Sequence, residues 1–160
     1  MKIATITYSW AQNWGAVLQA YALIEYLIEE GHEANLIYYH DFDDKCISTV
    51  KSLGDGISNL LKYKECKRRI ERYNEFRMNE LRLTKKCVSA EDLKELNKEF
   101  DVFITGSDQV WNVGHGVNRN FYLYFVDKTK KRVSYAPSFG VSKIPEEHKE
   151  ATREGINNIE

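Results

Sequence analysis

The sequence has few of the residues that stabilise small secreted proteins or hold metals. It contains two prolines and three cysteines in 160 residues, and no two cysteines form a C-x-x-C pair. The odd number and wide spacing of Cys46, Cys66 and Cys87 argue against a disulfide framework or zinc site and predict reduced thiols in the cytoplasm. Because the four histidines form no H-x-H or H-E-x-x-H pattern, no metal cofactor is expected.

Long hydrophobic runs are also missing. No segment approaches the roughly 20 apolar residues that a membrane-spanning helix needs, and the residues Met1–Ile6 show no pattern of a secretory signal. The net charge is only −1, which gives no reason to expect a nucleic-acid partner. The chain is 42% hydrophobic and 29% charged, so one globular domain is expected over residues 1–160.

The hydrophobic pattern predicts alternating strands and helices. A strand over Lys2–Tyr8, an amphipathic helix over Ala16–Glu30 that stops at Gly31, and a strand over Glu33–Tyr39 form a βαβ unit. Further along, the pattern predicts a loop over His40–Gly56, a helix from about Lys62 to Leu83, a short helix capped by Ser89, strands over Phe100–Thr105 and Arg132–Ala136, and a helix after Pro145. The order indicates an α/β domain with a mainly parallel sheet.

Three loops stand out because each follows a predicted strand or begins a helix at the same edge of that sheet, where ligands of α/β proteins usually bind. The first is Asn13–Gly15, which could bind an anion or a sugar oxygen at a helix N-terminus. Gly15 would let a ligand approach the backbone. The plainer interpretation is that Asn13 only caps the helix.

The second loop is GSDQVWN at residues 106–112, which places a hydroxyl, a carboxylate, two amides and an indole in seven positions. These groups could supply a base for a sugar hydroxyl, hydrogen bonds to sugar oxygens and an aromatic face for a sugar ring. The alternative is a tight turn in which Ser107 and Asp108 bond to the local backbone. The third loop, SYAPSFG at residues 134–140, could present Ser138 and Gly140 to a ligand or form a simple Ser/Thr turn.

A basic stretch covers Lys62–Lys86, where ten Lys or Arg residues accompany four Glu residues. Such a surface could meet anionic lipid or a pyrophosphate-linked acceptor. A solvated helix face with i, i+4 ion pairs has the same composition, and this interpretation is the simpler one.

Two of these segments, with their flanks, resemble a known family. NWGAVLQAYAL at residues 13–23 is similar to the opening helix of the polysaccharide pyruvyl transferase family, and FDVFITGSDQVWN at residues 100–112 resembles its most recognisable internal motif. The segment at 134–140 looks like the next family block, in the expected order. The resemblance covers essentially the whole chain, and the 106–112 segment is its most specific part.

The resemblance implies a bacterial, cytoplasmic transferase that moves an enolpyruvyl or pyruvyl group from phosphoenolpyruvate to a sugar hydroxyl during cell-surface (exopolysaccharide) biosynthesis. It also implies a Rossmann-like sheet flanked by helices, as the N-terminal half of a two-domain fold similar to that of GT-B glycosyltransferases. The C-terminal domain, with the residues that hold phosphoenolpyruvate, is expected outside this chain, so these 160 residues alone are expected to lack turnover. The acceptor is expected to be a saccharide or lipid-linked saccharide, with peripheral contact at the inner face of the cell membrane as an option.

On this resemblance and on position at strand ends, Asp108 is the candidate catalytic residue, as the base or orienting group for the acceptor hydroxyl. Asn13, Gln109 and Ser138 are expected to donate or accept hydrogen bonds, and Trp111 to offer a stacking face. The candidate substrate-binding residues are Asn13, Gly15, Gln19, Gly106, Ser107, Gln109, Trp111, Asn112, Tyr135, Ser138 and Gly140.

Two alternatives stay open at this level. A sugar-nucleotide glycosyltransferase half would have a similar architecture and a different donor, and a non-catalytic sugar-binding domain would need no donor. A flavodoxin-like or receiver domain is less favoured, because a receiver needs acidic residues after its first strand and Tyr8-Ser9-Trp10 offers none.

Overall fold

The computed structural model describes residues 1–10, 12–39, 57–114 and 116–159, with the side chains of 57–62 excepted. Within this part of the chain, five strands form one sheet in the order β3-β2-β1-β4-β5, and every neighbouring pair is parallel. The strands are β1 Lys2–Ile6, β2 Glu33–Tyr39, β3 Leu83–Cys87, β4 Val102–Asp108 and β5 Lys131–Pro137. The α-helices are α1 Trp14–Glu29, α2 Ile57–Glu80, α3 Ala90–Glu95 and α4 Glu146–Asn157.

The strand order reverses between β1 and β4. The chain runs outward from β1 to β2 and β3, then returns to place β4 on the opposite side of β1. At such a switch point the connections leave the two strands in opposite directions and open a crevice beyond their carboxyl ends. The connections after β1 and β4 therefore border the site where an α/β fold of this kind is most open to a ligand.

Helix α1 connects β1 to β2 and has clear signals at both ends. The Asn13 side chain accepts a hydrogen bond from the backbone N–H of Gly15 at 2.8 Å, which satisfies one of the unpaired donors at the helix start. Gly31 adopts a φ of 82° after the last turn, and its N–H donates to Ile28 O at 2.9 Å. This left-handed glycine stop confirms the predicted end of the helix and directs the chain into β2.

The core lies on both faces of the sheet. On one face, Val17, Ala20 and Ile24 of α1 pack with Leu36 of β2 and Tyr73 of α2. The other face carries the larger cluster, which combines strand residues with the segment that follows β4. It includes Ala4, Ile6, Phe103, Val110, Trp111, Phe121, Tyr122, Leu123 and Phe125. Because the central strands are covered on both sides, they are apolar without strict alternation.

The predicted architecture is confirmed, with one strand missed. The sequence pattern assigned Leu83 to the end of a helix, whereas α2 ends at Glu80 and LTKKC at 83–87 forms β3. Strand β3 lies at an edge of the sheet with exposed Lys85 and Lys86, so it lacks the apolar pattern of a central strand. The predicted loop over His40–Gly56 lies outside the described residues.

Of the three cysteines expected to be reduced thiols, Cys87 agrees with the expectation, Cys66 differs from it, and Cys46 lies outside the described residues. Cys66 is disulfide-bonded, so the expectation is wrong for this residue. Cys87 is a free and fully buried thiol. Burial raises the pKa of the Cys87 thiol, which keeps it protonated near neutral pH and makes it a poor nucleophile.

Candidate functional site

A cleft of about 450 Å³ lies at the switch point between β1 and β4. Its walls come from the segment after β1, from the start of α1, from the end of β2 and from the segment after β4. The lining residues are Thr7, Tyr8, Trp10, Asn13, Ala16, Tyr39, Asp108, Gln109, Asn112 and Phe121. Four of the residues chosen from the sequence therefore line the same cleft, although up to 99 positions separate them. They are Asn13, Asp108, Gln109 and Asn112.

Asp108 ends β4 in an uncommon backbone conformation. Its φ is 77°, in the left-handed region that Asp and Asn tolerate better than other non-glycine residues. One carboxylate oxygen, Oδ1, accepts a hydrogen bond from the backbone N–H of Gln109 at 2.8 Å. The carboxylate is half-buried at the cleft wall. Its Oδ1 is therefore oriented by the local backbone, as the plainer alternative predicted, although the carboxylate is also exposed to the cleft. For Ser107 that alternative is wrong, because its hydroxyl binds Gln19.

The segment after β5 supports Asp108 through backbone contacts. The N–H of Ser138 donates to Asp108 O at 2.9 Å, and the N–H of Trp111 donates to Ser138 O at 3.2 Å. Ser138 is not among the cleft-lining residues. Asn13, Asp108 and Ser138 do converge on one edge of the sheet as predicted, but Ser138 acts there through its main chain.

The amides of Gln109 and Asn112 form one linked pair. Asn112 Nδ2 donates to Gln109 Oε1 at 3.0 Å, and Asn112 Oδ1 accepts from the N–H of Gly114 at 2.8 Å. Gly140 lies against this pair, because a Cβ at that position would come within 2.3 Å of Gln109 Oε1 and 2.9 Å of Asn112 Nδ2. Gly140 therefore leaves space for the two amides, and it affects the cleft only through their positions.

Gln19 and Ser107 bind each other. Ser107 Oγ donates to Gln19 Oε1 at 2.5 Å, and Gln19 Nε2 donates to Thr7 Oγ1 at 3.1 Å and to Ala16 O at 2.8 Å. Neither Gln19 nor Ser107 is among the lining residues. Their hydrogen-bonding groups are used within the protein, next to the cleft wall.

Trp111 has a different position from the one expected of a stacking face. Its indole is 9% exposed, is stacked on Tyr122 at a centroid distance of 5.2 Å and contacts Phe139 at 5.5 Å. The indole Nε1–H donates to Phe121 O at 3.1 Å. Trp111 thus belongs to the core beneath the cleft. Tyr135, in β5, is 55% exposed and does not line the cleft.

The remaining sequence-predicted residues act through the backbone at the rim. Gly15 satisfies the cap of α1 through its N–H. Gly106 is paired with Tyr135 between β4 and β5, with a φ of 109°. Because a Cβ at Gly106 would lie 2.1 Å from Tyr135 O, only glycine allows the two strands to approach this closely.

The aromatic part of the cleft was not predicted from the sequence. Tyr8, Trp10, Tyr39 and Phe121 all contribute to its lining. Tyr8 packs on Phe121 at a centroid distance of 4.5 Å. Tyr8 and Tyr39 lie at the carboxyl ends of β1 and β2, so strand-end position was a usable signal for them. Phe121 follows β4 by 13 positions, and no local pattern points to it.

Trp10 is held by an aromatic and cationic stack. It lies on Tyr38 with a centroid distance of 4.2 Å, and the guanidinium of Arg77 lies 5.1 Å from its centroid. Arg77 is 2% exposed, is also 5.3 Å from the ring centroid of Tyr73, and donates from Nε to Ser9 O at 2.7 Å. Helix α2 therefore contacts the turn after β1 through the buried guanidinium of Arg77. From composition alone, this residue was expected on a solvated face.

Replacing Arg77 with Met is expected to lower the free energy of unfolding by about 2 kcal/mol, since it removes the donor to a buried carbonyl and the cation from two rings. Urea denaturation measures this change. The matched control is Arg72→Met, because Arg72 is on the same helix and exposed, and its loss is expected to stay within about 0.5 kcal/mol. Equal losses for the two variants would show that the buried contacts contribute nothing specific.

Four other basic residues of α2 are consistent with a solvated face. Lys64, Lys67, Arg68 and Arg72 are exposed on α2, and Lys67 pairs with Glu71 at 3.8 Å across one helical turn. Such exposed pairs contribute little to stability. Contact of this face with a membrane or a pyrophosphate-linked acceptor stays a prediction.

Neither a cluster of metal-ligating side chains nor a helix suited to span a bilayer occurs among the described residues. No group of three or more His, Cys, Asp or Glu side chains in residues 1–10, 12–39, 57–114 and 116–159 is placed to hold a metal ion. In the same part of the chain, no helix combines the length and apolar character required to cross a bilayer.

Comparison with known proteins identifies a family. The family model described as polysaccharide pyruvyl transferase matches residues 13–159, which include the start of α1 and every element that follows it. No curated protein and no solved structure matches the chain significantly.

Proposed function

Because the chain belongs to the polysaccharide pyruvyl transferase family, we propose that its cleft binds the acceptor saccharide of a pyruvyl transfer from phosphoenolpyruvate. The observation that carries this proposal is the lining of the cleft: one carboxylate, three carboxamides and four aromatic side chains meet at the switch point of a Rossmann-like sheet. Amides and carboxylates pair with sugar hydroxyls in both donor and acceptor directions, and aromatic side chains supply apolar surface for a sugar ring.

The charge of the lining favours the acceptor over the donor. Among the described lining residues Asp108 is the only charged side chain, and none is Lys, Arg or His. Phosphoenolpyruvate carries a phosphate and a carboxylate, which proteins hold with cationic side chains and backbone N–H groups. We therefore assign the donor contacts to residues outside this lining, in a second α/β half of the kind that the family resemblance implies.

The proposed reaction balances without a redox or metal cofactor. A proton is added to the methylene carbon of phosphoenolpyruvate, and the oxygen of one acceptor hydroxyl forms a bond to the adjacent carbon. The carbon–oxygen bond to phosphate then breaks, and inorganic phosphate leaves with the electron pair. A second acceptor hydroxyl adds to the same carbon and closes a ketal. The two acceptor hydroxyls release two protons in total. These balance the proton added to the methylene carbon and the proton taken up by the leaving phosphate.

In this scheme Asp108 accepts the proton of the attacking hydroxyl. Its carboxylate lines the cleft, and its Oδ1 accepts a hydrogen bond from the N–H of Gln109. Asn13, Gln109 and Asn112 line the same walls, which supports a role for them in holding neighbouring hydroxyls. Holding the acceptor and the base in a fixed orientation removes much of the entropic cost of a reaction between separate molecules.

The test is release of inorganic phosphate from phosphoenolpyruvate by the full-length protein, with and without a panel of oligosaccharides. The proposal expects release that depends on a saccharide, together with a saccharide product that carries a ketal-linked pyruvyl group in its mass spectrum. Release of nucleotide from a sugar nucleotide, with no phosphate from phosphoenolpyruvate, would establish a glycosyltransferase. Saccharide binding with neither reaction would indicate a sugar-binding domain and contradict the proposed transferase activity.

The charge of the cleft also predicts which saccharides bind. Uncharged methyl hexosides are expected to bind more tightly than methyl hexuronides, because a carboxylate on the ligand would meet Asp108 with no described cation beside it. Calorimetric titration measures the ratio of the dissociation constants. In Asp108→Asn the ratio is expected to move towards one. Tighter binding of hexuronides than of hexosides to the native protein would contradict this charge assignment.

A further inference from the structure

Three side chains close a ring of hydrogen bonds beneath the cleft. Thr7 Oγ1 donates to Ser107 O at 2.8 Å, Ser107 Oγ donates to Gln19 Oε1 at 2.5 Å, and Gln19 Nε2 donates back to Thr7 Oγ1 at 3.1 Å. The second hydrogen of Gln19 Nε2 is used on Ala16 O at 2.8 Å. Each side-chain donor in this ring has an acceptor, so every group has a defined orientation.

The ring joins three elements that are remote in sequence. Thr7 follows β1, Gln19 is in the second turn of α1, and Ser107 is the penultimate residue of β4. These are the elements on either side of the switch point. The residue after Ser107 is Asp108, so any rotation of the β4 end about its axis would move the carboxylate relative to Asn13 at the start of α1.

We propose that Gln19 is a positioning residue that, with Thr7, holds the end of β4 so that the Asp108 carboxylate faces the cleft. This inference rests on the proposed function for its consequence in catalysis, but its structural part does not. It also replaces the expectation that Gln19 and Ser107 bind substrate, because the hydrogen-bonding groups of the Gln19 side chain are already used within the protein.

The ring requires an amide at position 19. The carboxylate of Glu has the same size and could still accept from Ser107 Oγ, but it has no N–H for Thr7 Oγ1 or for Ala16 O. Its charge would also face the lone pairs of Ala16 O. If Gln19 only filled space at this half-buried position, substitution by Glu or Met would have little effect. If Gln19 orients its neighbours through both ends of its amide, either substitution disturbs them.

The structural part is tested by ¹H–¹⁵N spectra of the full-length protein. Gln19→Met and, separately, Thr7→Val are expected to shift the amide signals of Asp108 and Gln109, because both variants open the ring. Leu18→Met is the matched control, since Leu18 is the preceding residue of α1 and is 48% exposed. Unchanged Asp108 and Gln109 signals in both ring variants would overturn the inference. Should Gln19→Met fail to fold, Thr7→Val, which replaces only a hydroxyl by a methyl group, decides the question.

The catalytic part is tested by saccharide-dependent phosphate release. Gln19→Met and Gln19→Glu are each expected to lower kcat about tenfold to a hundredfold, because misplacement of a reacting group by about 1 Å costs that much. The KM for phosphoenolpyruvate should be unchanged. A merely stabilising role would lower the unfolding midpoint and leave the kcat of the folded protein near the native value.

Together, the spectroscopic and kinetic experiments distinguish a failure of the positioning role from a failure of the proposed function. Shifted Asp108 signals with no phosphate release from the native protein would refute the proposed function and retain the ring as a structural device. Native release with unshifted signals and unchanged kcat in the variants would refute the positioning role and retain the function. The double variant Gln19→Met/Ser107→Ala should be hardly worse than Gln19→Met alone, since both substitutions remove one shared hydrogen bond.

Discussion

Replacing Asp108 with Asn is expected to reduce saccharide-dependent turnover by about a hundredfold or more, because general base catalysis contributes that much and an amide cannot accept the proton. Asn is the appropriate substitution for two structural reasons. It tolerates the φ of 77° found at this position, and its oxygen can still accept the hydrogen bond from the N–H of Gln109. The fold of the turn should therefore be retained while the chemistry is removed.

The control for this experiment is Asp127→Asn. Asp127 is exposed and is not among the cleft residues, so its loss should leave turnover and stability near the native values. Phosphate release and the far-ultraviolet circular dichroism of all three proteins should be measured together. Turnover near the native level in a folded Asp108→Asn protein would exclude Asp108 as the base and leave it at most a ligand for a sugar hydroxyl.

Replacing Gly106 with Ala is expected to destabilise the protein by about 2–6 kcal/mol, because two separate costs of about 1–3 kcal/mol each add at this position. The first is the φ of 109°, which L-residues rarely adopt. The second is a collision, since the new Cβ would lie 2.1 Å from Tyr135 O and 3.1 Å from Tyr135 C. Both atoms belong to the backbone of β5, so relief requires the two strands to separate.

Gly31→Ala separates these two costs. Gly31 also has a positive φ, 82°, but a Cβ there would meet nothing within 4 Å. It should therefore lose only about 1–2 kcal/mol, the usual cost of a left-handed conformation for an L-residue. Denaturant unfolding of both variants measures the difference, provided that the m-values agree. Equal losses would mean that β4 and β5 accommodate the methyl group without cost, contrary to their close approach.

The location of the site could be predicted from the sequence, because it follows from the order of elements. Periodicity identified β1, α1, β2 and the strand before the 106–112 segment, and ligands of parallel sheets bind at the carboxyl ends of strands. Asn13, Asp108, Gln109 and Asn112 were chosen on that basis and line one cleft. Whether each performs its proposed role stays a prediction until the variants are measured.

The orientation of individual side chains could not be predicted in the same way. Trp111 has the residue type expected of a sugar-stacking platform, yet it is packed on Tyr122 with its Nε1 bound to Phe121 O. Arg77 belongs to a segment with the composition of a solvated helix, yet it is buried against Trp10 and Tyr73. Both outcomes depend on a partner far along the chain, Tyr122 for Trp111 and Trp10 for Arg77, and residue type carries no information about such partners.

The sequence by itself determined the α/β class, the ends of α1 through Asn13 and Gly31, and the edge of the sheet where the polar loops meet. These properties depend on hydrophobic periodicity, caps and strand ends, which are local in the chain. Only the tertiary structure decided that Gln19 binds Ser107 and Thr7 instead of facing the cleft, and that Tyr8 and Tyr39 line it in place of Trp111. The physical reason is that a side chain faces a cleft or a neighbour according to which hydrogen-bond partners and packing surfaces other elements bring to it, and these are set only when the sheet assembles.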